Sequence, residues 1–411
     1  MLNVKKILIS PIVIRVLTVG LNFVSNVIIN RSLGLELKGQ YTTILNYANF
    51  LQLFFNLGIC YAYPMLKKRK ESNDAKNIIL TIIWIQTIIC AIIGGCALAI
   101  VASLEFTMVM ILSVVMICNS QLIFIALIDD ITDRNLLLLG STIFFIILSG
   151  LAIIFFRGKL YVVVGLMIAK YLFEIVLLCL KYNYLHFRLE KINWQVLKFI
   201  FSIGIPTAVL AILISCNYNL DILMLNWMGS GNKEIGIYGV AYSLTNMLWV
   251  LPDAFKEMIY NKTAKENDYK YVLKCIAINM LFCLIICIGF MLLGRWFLTL
   301  VYGEQYEVAY GVTLVLFVGI IPMISFKLIH PIYVNNGHSK TVVGLLMIAV
   351  IVNIISSYLL IPKHGAIGAS IASVISYCVC GGIFFAKFYF DYCRITSREC
   401  ELPKKSPLNK F

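Results

Sequence analysis

Long apolar runs follow one another along the chain, and only short polar segments separate them. A helix needs about 20 mostly apolar residues to cross a bilayer. The runs therefore predict about twelve transmembrane helices, with boundaries good to a few residues. The predicted spans are 8–30, 41–64, 77–101, 106–128, 136–156, 161–180, 199–228, 235–255, 272–293, 308–330, 341–361 and 366–386.

Composition supports an all-α polytopic membrane protein. Hydrophobic residues make up 61% of the chain and charged residues 13%, against about 25% charged in soluble domains. The 13 cysteines are scattered, mostly within apolar runs, and no pair has zinc-finger spacing. We interpret them as small buried hydrophobic residues and expect neither a metal site nor a cofactor.

Charge predicts the orientation. Lys5 and Lys6 precede the first apolar run, which continues to Asn30 without a small-residue cleavage site, so we expect an uncleaved first helix. Most of the 34 lysines and arginines fall at the two termini and in the even-numbered loops. This bias predicts an inner-membrane protein with both termini in the cytoplasm. The net charge of +14 then reflects topology and attraction to anionic lipids, not nucleic-acid binding.

Weak internal similarity indicates two six-helix halves, residues 1–190 and 191–390, followed by a basic cytoplasmic tail, 391–411. Two halves with the same insertion direction would be related by an axis along the membrane normal, with a central cavity between them. The markers that recur in the same order are Pro11, Gly34 and Gly39 in the first half, and Pro206, Gly229 and Gly236 in the second.

Polar residues recur every three or four positions inside four predicted spans, so each set shares one helix face. Such stripes either form interhelical hydrogen bonds in a dry bundle or line a water-filled cavity. Amides and aromatics over several turns suit a neutral ligand rich in hydroxyls, such as a sugar. The candidate substrate-binding residues from these stripes are Asn22, Asn26, Asn46, Asn49, Gln52 and Tyr242.

Three basic residues, Arg15, Lys170 and Lys327, fall inside predicted spans. Such a charge costs about 2.5–3.5 kcal/mol at mid-bilayer, so it is usually paired or functional. We include all three among the candidate substrate-binding residues. Lys170 can instead be neutralised by Glu174, Lys327 can snorkel to the interface, and Arg15 can pair with Asp221 or contact an anionic ligand. Asp221 and Glu174 are the candidates for coupling or gating.

Enzymatic chemistry is not indicated. The chain lacks a phosphate-binding loop, a His-Glu-x-x-His motif and a nucleophile elbow, and its four histidines lie far apart. A membrane-embedded polysaccharide-processing enzyme would need catalytic carboxylates or histidines, usually on a large external loop, and no predicted loop is long enough. We therefore predict no catalytic residues.

Several short motifs resemble those of the bacterial polysaccharide (O-antigen) flippases, in the multidrug/oligosaccharidyl-lipid/polysaccharide exporter superfamily. The resemblance covers the whole chain. The residues that carry it include Leu33-Gly34 with Gly39-x-Tyr41, Asn56-Leu57-Gly58, Gly204-Ile205-Pro206, Gly236-Ile237-Tyr238, Val301-Tyr302-Gly303 and Ile361-Pro362-x-x-Gly365.

This resemblance implies flipping of a polyprenyl-pyrophosphate-linked oligosaccharide from the cytoplasmic to the periplasmic leaflet, for O-antigen, capsule or exopolysaccharide synthesis. It also makes polysaccharide polymerase or ligase machinery a possible partner. A cation-coupled multidrug antiporter of the same superfamily is the alternative, although the first three spans lack the acidic residues it would want. A lipid-linked peptidoglycan-precursor flippase would resemble a chain with two further helices.

Overall fold

The structure, a computed structural model, describes residues 11–69, 72–101, 103–156, 159–185, 188, 192–263 and 268–401. Within these ranges the chain is helical and contains no strand. Two short 3-10 helices, Ile59–Ala62 and Glu304–Ala309, join longer elements. The α-helices are α1 Pro11–Asn56, α2 Tyr63–Arg69, α3 Ser72–Ile100, α4 Leu104–Asp129, α5 Ile131–Phe156, α6 Leu160–Tyr182, α7 Trp194–Trp227, α8 Gly231–Leu248, α9 Val250–Thr263, α10 Tyr269–Tyr302, α11 Tyr310–Asn335 and α12 Ser339–Glu401.

Nine of the described helices are long and apolar enough to cross a membrane, and α8 with α9 forms a further span bent by 43°. Two of the nine contain a break. Gly34 divides α1 at φ 72°, and Gly365 divides α12 at φ 53°, a backbone conformation that glycine adopts without strain. The nine helices and the bent pair make ten, and each of the two broken helices covers two predicted spans. The described helices therefore account for the twelve predicted spans, and the all-α membrane fold is confirmed.

Apolar packing is concentrated in three clusters of buried residues. The largest lies among α7 to α12, and two smaller clusters lie among α1 to α7. Helix α7 contributes to both sides: Val196 and Ile200 pack with the first-half residues, whereas Ile222 and Leu225 pack with the second-half cluster. Pro206 lies between these segments. It has no backbone N–H, so it cannot donate the hydrogen bond that other residues within a helix make. The predicted division between residues 190 and 191 stays a prediction.

The backbones of α1 and α8 touch directly beside the Gly34 break. We call this region the Gly34 end of the bundle. A Cβ atom on Gly39 would lie 1.8 Å from the Asn232 carbonyl oxygen, and one on Gly236 would lie 2.0 Å from that of Leu35. Only glycine permits this approach, so the two glycines bring the second segment of α1 against the start of α8.

Polar contacts reinforce the same end. The Arg31 guanidinium donates to the carbonyl oxygens of Leu300 and Val301, at the last turn of α10. A cation at a helix C-terminus interacts favourably with the helix dipole and caps otherwise unpaired carbonyls. The Tyr306 hydroxyl donates to the Asn30 carbonyl at 2.6 Å.

The opposite end of the same α1 segment, which we call the Gly58 end, contains a second close approach. A Cβ on Gly58 would lie 2.2 Å from the carbonyl oxygen of Gly204 in α7. The second segment of α1 is therefore held by backbone contacts at both of its ends.

Candidate functional site

A cavity of about 280 Å³, which we call the central cavity, lies between α1, α5 and α6 on one side and α7 and α8 on the other. The second segment of α1 forms much of one wall, and α7 and α8 face it. The residues that line it are Asn22, Ser25, Asn26, Ile29, Lys38, Tyr41, Thr42, Leu45, Asn46, Asn49, Phe145, Met167, Lys170, Asn219, Ile222, Gly239, Tyr242 and Ser243.

Most of the neutral site residues predicted from the sequence meet here. Asn22, Asn26, Asn46, Asn49 and Tyr242 all line the central cavity. They come together because helical spacing of three or four places each set on one face of α1 or α8, and these faces are opposed. The stripe on α1 therefore lines a cavity, as one of the two sequence interpretations proposed.

Two polar atoms in this wall are buried and have no hydrogen-bond partner among the described residues: the Asn46 side-chain oxygen and the Thr42 hydroxyl oxygen. The Asn46 amide nitrogen reaches the Asn219 carbonyl oxygen at 3.4 Å. A buried polar atom normally finds a partner in the protein, in water or in a ligand. Both oxygens are closed off from the cavity in this conformation, so a ligand would reach them only after the wall rearranges.

The cavity also has a basic wall. Lys38 and Lys170 both line it, and no acidic residue belongs to the lining that the structure describes. The Lys38 ammonium lies 5.1 Å from the centre of the Tyr41 ring, and the Lys170 ammonium lies 5.4 Å from that of Phe145. Two ammonium groups in an apolar surrounding create a positive potential that attracts an anion.

Lys38 was not among the predicted site residues, because the sequence placed it in the first external loop. The structure corrects this: Lys38 belongs to α1, past the Gly34 break, and is only 3% exposed. One signal could have found it. Lys38, Thr42, Asn46 and Asn49 continue the same three-to-four spacing, so the polar stripe begins one turn earlier than the predicted span.

Glu174 lies one turn from Lys170 on α6 but is not in the cavity lining. Its two carboxylate oxygens accept hydrogen bonds from Asn119 at 2.7 Å and from Ser141 at 2.6 Å. The side chain is 2% exposed. Glu174 thus connects α4, α5 and α6 and leaves the Lys170 ammonium directed at the cavity.

A second cavity of about 260 Å³, which we call the side cavity, adjoins the central one. Asn22, Asn26 and Ser243 line both, so the two spaces share a wall. The other residues lining the side cavity are Val19, Phe23, Asn246, Met247, Val250 and Tyr302.

Two predicted binding residues lie away from both cavities. Gln52 lines a smaller pocket towards the Gly58 end and donates to the Ser120 hydroxyl at 3.0 Å. Lys327 makes an ion pair with Asp253 at 3.0 Å and sits 4.2 Å from the centre of the Trp249 ring. The Arg15 side chain lies outside the described residues.

Asp221, on α7, is fully buried, and side chains of α8 and of both segments of α12 surround it. Its carboxylate accepts hydrogen bonds from Ser373 at 2.6 Å, Tyr238 at 3.1 Å, Asn353 at 3.1 Å and Ser357 at 3.2 Å. The stripes on α7 and α8 thus form part of a dry interhelical network, the other sequence interpretation. Among the described residues, no cluster of three or more His, Cys, Asp or Glu side chains could hold a metal ion.

Comparison with known proteins agrees with this architecture. A family model described as "Polysaccharide biosynthesis protein" matches residues 4–251. The comparison with curated proteins finds no match.

Three solved structures share the fold at low sequence identity. A structure of the lipid II flippase MurJ in an inward closed conformation has a TM-score of 0.75 and 14% identity, over 93% of this chain and 87% of that one. An inward-facing multidrug resistance MATE family transporter of the MOP superfamily has a TM-score of 0.66 and 15% identity, over 94% and 96%. A MOP superfamily transporter from Pyrococcus furiosus, described as having a binding pocket of reversed polarity, has a TM-score of 0.56 and 16% identity, over 93% and 94%.

Proposed function

Since the chain belongs to the polysaccharide biosynthesis protein family, we propose that it flips a lipid-linked oligosaccharide across the bacterial cytoplasmic membrane. The substrate is an oligosaccharide joined through a pyrophosphate to a polyprenyl carrier. The protein moves it from the cytoplasmic to the periplasmic leaflet for the synthesis of a surface polysaccharide. Polymerase or ligase machinery would then consume the flipped product.

The observation that carries this proposal is the chemistry of the central cavity. Lys38 and Lys170 supply positive charge, and the neighbouring walls supply amides and hydroxyls. A pyrophosphate needs cations, and sugar hydroxyls need groups that both donate and accept hydrogen bonds. The central cavity offers both in one space.

Elementary energetics explain why such a substrate needs a protein. A buried hydroxyl without a partner costs about 2–7 kcal/mol, and an isolated charge costs far more. A head group with several hydroxyls and a pyrophosphate therefore cannot cross hydrocarbon at a useful rate. A polar cavity removes most of this cost for the head group, while the polyprenyl tail stays in the lipid.

Arg15 extends the positive path towards the predicted cytoplasmic side. It lies on α1 two turns before Asn22, at the correct spacing to continue the same polar face. A guanidinium holds two phosphate oxygens at once and keeps its charge when desolvated. We therefore assign Arg15 the first contact with the pyrophosphate and the two lysines the later contact.

Coupling to an ion gradient is assigned to Asp221. Its buried carboxylate is surrounded by hydroxyl and amide groups from α8 and from both segments of α12. Binding of a proton or a small cation would change the charge of this cluster and so bias how these helices pack. Glu174 occupies a similar buried position in the first half and is the second candidate for gating.

A multidrug antiporter is the second candidate function, because the chain shares its fold with MATE family transporters. A cationic drug would be repelled by Lys38 and Lys170 in the central cavity. The basic lining of the central cavity therefore favours an anionic head group over a cationic drug.

A deletion experiment tests the proposed function in cells. Removing the gene should abolish a surface polysaccharide while its lipid-linked repeat unit accumulates on the cytoplasmic side. Restoring the intact gene should reverse both effects. An unchanged surface polysaccharide with no accumulated lipid-linked repeat unit would contradict the proposal.

A further inference from the structure

The side cavity has a chemistry of its own. Amides and a hydroxyl form part of its lining, from Asn22, Asn26, Asn246 and Ser243, and the partly exposed ring of Phe23 forms another part, backed by the buried ring of Tyr302. The two rings are nearly perpendicular, at 86°, with centroids 6.3 Å apart. No charged residue belongs to the lining that the structure describes.

This combination matches the two aspects of an uncharged sugar. The hydroxyl groups at the edge of a pyranose ring both donate and accept hydrogen bonds, as an asparagine amide does. The C–H groups on its face pack well against aromatic carbon. An amide rim beside an aromatic surface therefore binds a neutral sugar without exposing an unpaired polar group.

The side cavity lies next to the basic wall of the central cavity. Asn22, Asn26 and Ser243 line both cavities, so the two spaces are directly adjacent along these three side chains. With a pyrophosphate held by Lys38 and Lys170, the sugar attached directly to it reaches the shared wall. We infer that the side cavity is the subsite for this pyrophosphate-proximal sugar and that it selects an uncharged one, an inference that rests on the proposed function.

Selection against an acidic sugar follows from the charge distribution. A hexuronic acid carries a carboxylate that would lose part of its water on entering the side cavity, where Asn22 and Asn246 remain exposed, and would meet only neutral side chains in the described lining. Burying a charge without a counter-charge is costly. The two lysines of the central cavity are already engaged by the pyrophosphate, so they do not compensate the additional negative charge.

The test uses purified protein in proteoliposomes and two defined substrates. One is a polyprenyl pyrophosphate carrying a single neutral hexose, and the other carries a single hexuronic acid. We expect the native protein to flip the neutral substrate at least about tenfold faster, as expected for a site that leaves a buried group unpaired. Equal rates for the two substrates would overturn the inference.

Variants then locate the selectivity in the side cavity. Asn246→Arg, on α8, and Asn22→Arg, on the opposite wall, each add a cation there and should reduce or reverse the preference for the neutral sugar. Asn246→Gln keeps a neutral amide and should keep the preference. Asn336→Arg adds the same charge at an exposed turn between α11 and α12 and should leave it unchanged.

The outcomes separate this inference from the proposed function. If the native protein flips neither substrate, the proposed function fails. If flipping occurs but both arginine variants fold and keep the native preference, the subsite assignment is wrong while the flippase function stands. Loss of the preference in Asn336→Arg as well would show a general charge effect and would also overturn the assignment.

Discussion

At the scale of single residues, Lys38 and Lys170 give the central cavity its positive charge. Both reach the same cavity from different helices, and each ammonium lies near an aromatic ring. Such contacts contribute about 0.5–2 kcal/mol and lower the cost of keeping the charge in an apolar surrounding. The lysines can therefore remain in place without a carboxylate in the described lining, although the buried Glu174 carboxylate behind the wall still attracts the Lys170 ammonium.

Removing one of these charges should weaken binding of an anion. For Lys38→Ala and Lys170→Ala, we expect at least about a tenfold loss of affinity for inorganic pyrophosphate, since a charge-assisted hydrogen bond is worth about 1.5–3 kcal/mol. Isothermal titration calorimetry on the purified protein measures this. Lys159→Ala, at an exposed position outside the cavity, is the matched control, and equal losses in all three variants would contradict the assigned roles.

Asp221, unlike the two lysines, lies outside the central cavity, and its carboxylate is surrounded by hydrogen-bond donors. Asp221→Asn keeps the size of the side chain and removes its negative charge, so we expect substrate binding to persist while transport becomes insensitive to pH and to sodium. Transport rates across a series of imposed proton and sodium gradients measure this. A variant that responds to those gradients as the native protein does would exclude a coupling role for Asp221.

Helix α1 connects the site to the rest of the fold at the scale of elements. Its Gly34 break divides it into two segments, and both segments line the central cavity. The second segment is pressed against α8 at the Gly34 end and against α7 at the Gly58 end. Movement of this segment would therefore change access to the cavity.

Adding a methyl group at the Gly34 end should prevent its closure. Gly39→Ala and Gly236→Ala each place a Cβ within 2.0 Å of a backbone oxygen, so the two halves must separate there. We expect a cysteine introduced at Asn46, in a protein without its 13 native cysteines, to react faster with a membrane-impermeant maleimide from the predicted periplasmic side.

The matched control for this experiment is Gly140→Ala, because a Cβ at Gly140 meets no heavy atom within 4 Å. Its reactivity should equal that of the protein with both glycines intact. An unchanged labelling rate in well-folded Gly39→Ala and Gly236→Ala proteins would show that this contact does not control access to the cavity.

The sequence predicted the fold well and the site less completely. Long apolar runs determine the number of spans, because hydrocarbon imposes a length on every crossing helix. The Asn22 and Asn46 stripes were predictable because periodicity reports a shared face. Lys38 was missed because the sequence predicted a loop between the first two spans, whereas the chain breaks only at Gly34 and the residues around Lys38 are helical.

Other features of the site could not be placed from the sequence because they have a tertiary origin. Lys327 was expected near substrate, yet its partner Asp253 lies 74 residues earlier in the chain and meets it only after α9 packs against α11. The buried surroundings of Asp221 likewise come from helices distant in sequence. Periodicity identifies the face of a helix, but it does not specify what that face contacts.

The whole molecule combines an apolar exterior with a polar, basic space between two helical halves. Exposed leucines, isoleucines and valines on the outer faces suit contact with lipid chains, as at Ile92, Leu180 and Leu292. Backbone contacts hold both ends of the second α1 segment beside the central cavity, while Asn22 and Asn49 in its lining remain exposed. Alternate opening of the two ends would carry a head group across while its lipid tail stays outside.

Flipping by the purified protein tests this account most directly. In proteoliposomes containing a fluorescent polyprenyl-pyrophosphate oligosaccharide, the native protein should make inner-leaflet substrate accessible to a reagent added outside. The double variant Lys38→Ala with Lys170→Ala should lose most of this activity, whereas Lys159→Ala should retain it. Flipping no faster with the native protein than in protein-free vesicles, or equal in the double variant and the native protein, would contradict the central claim.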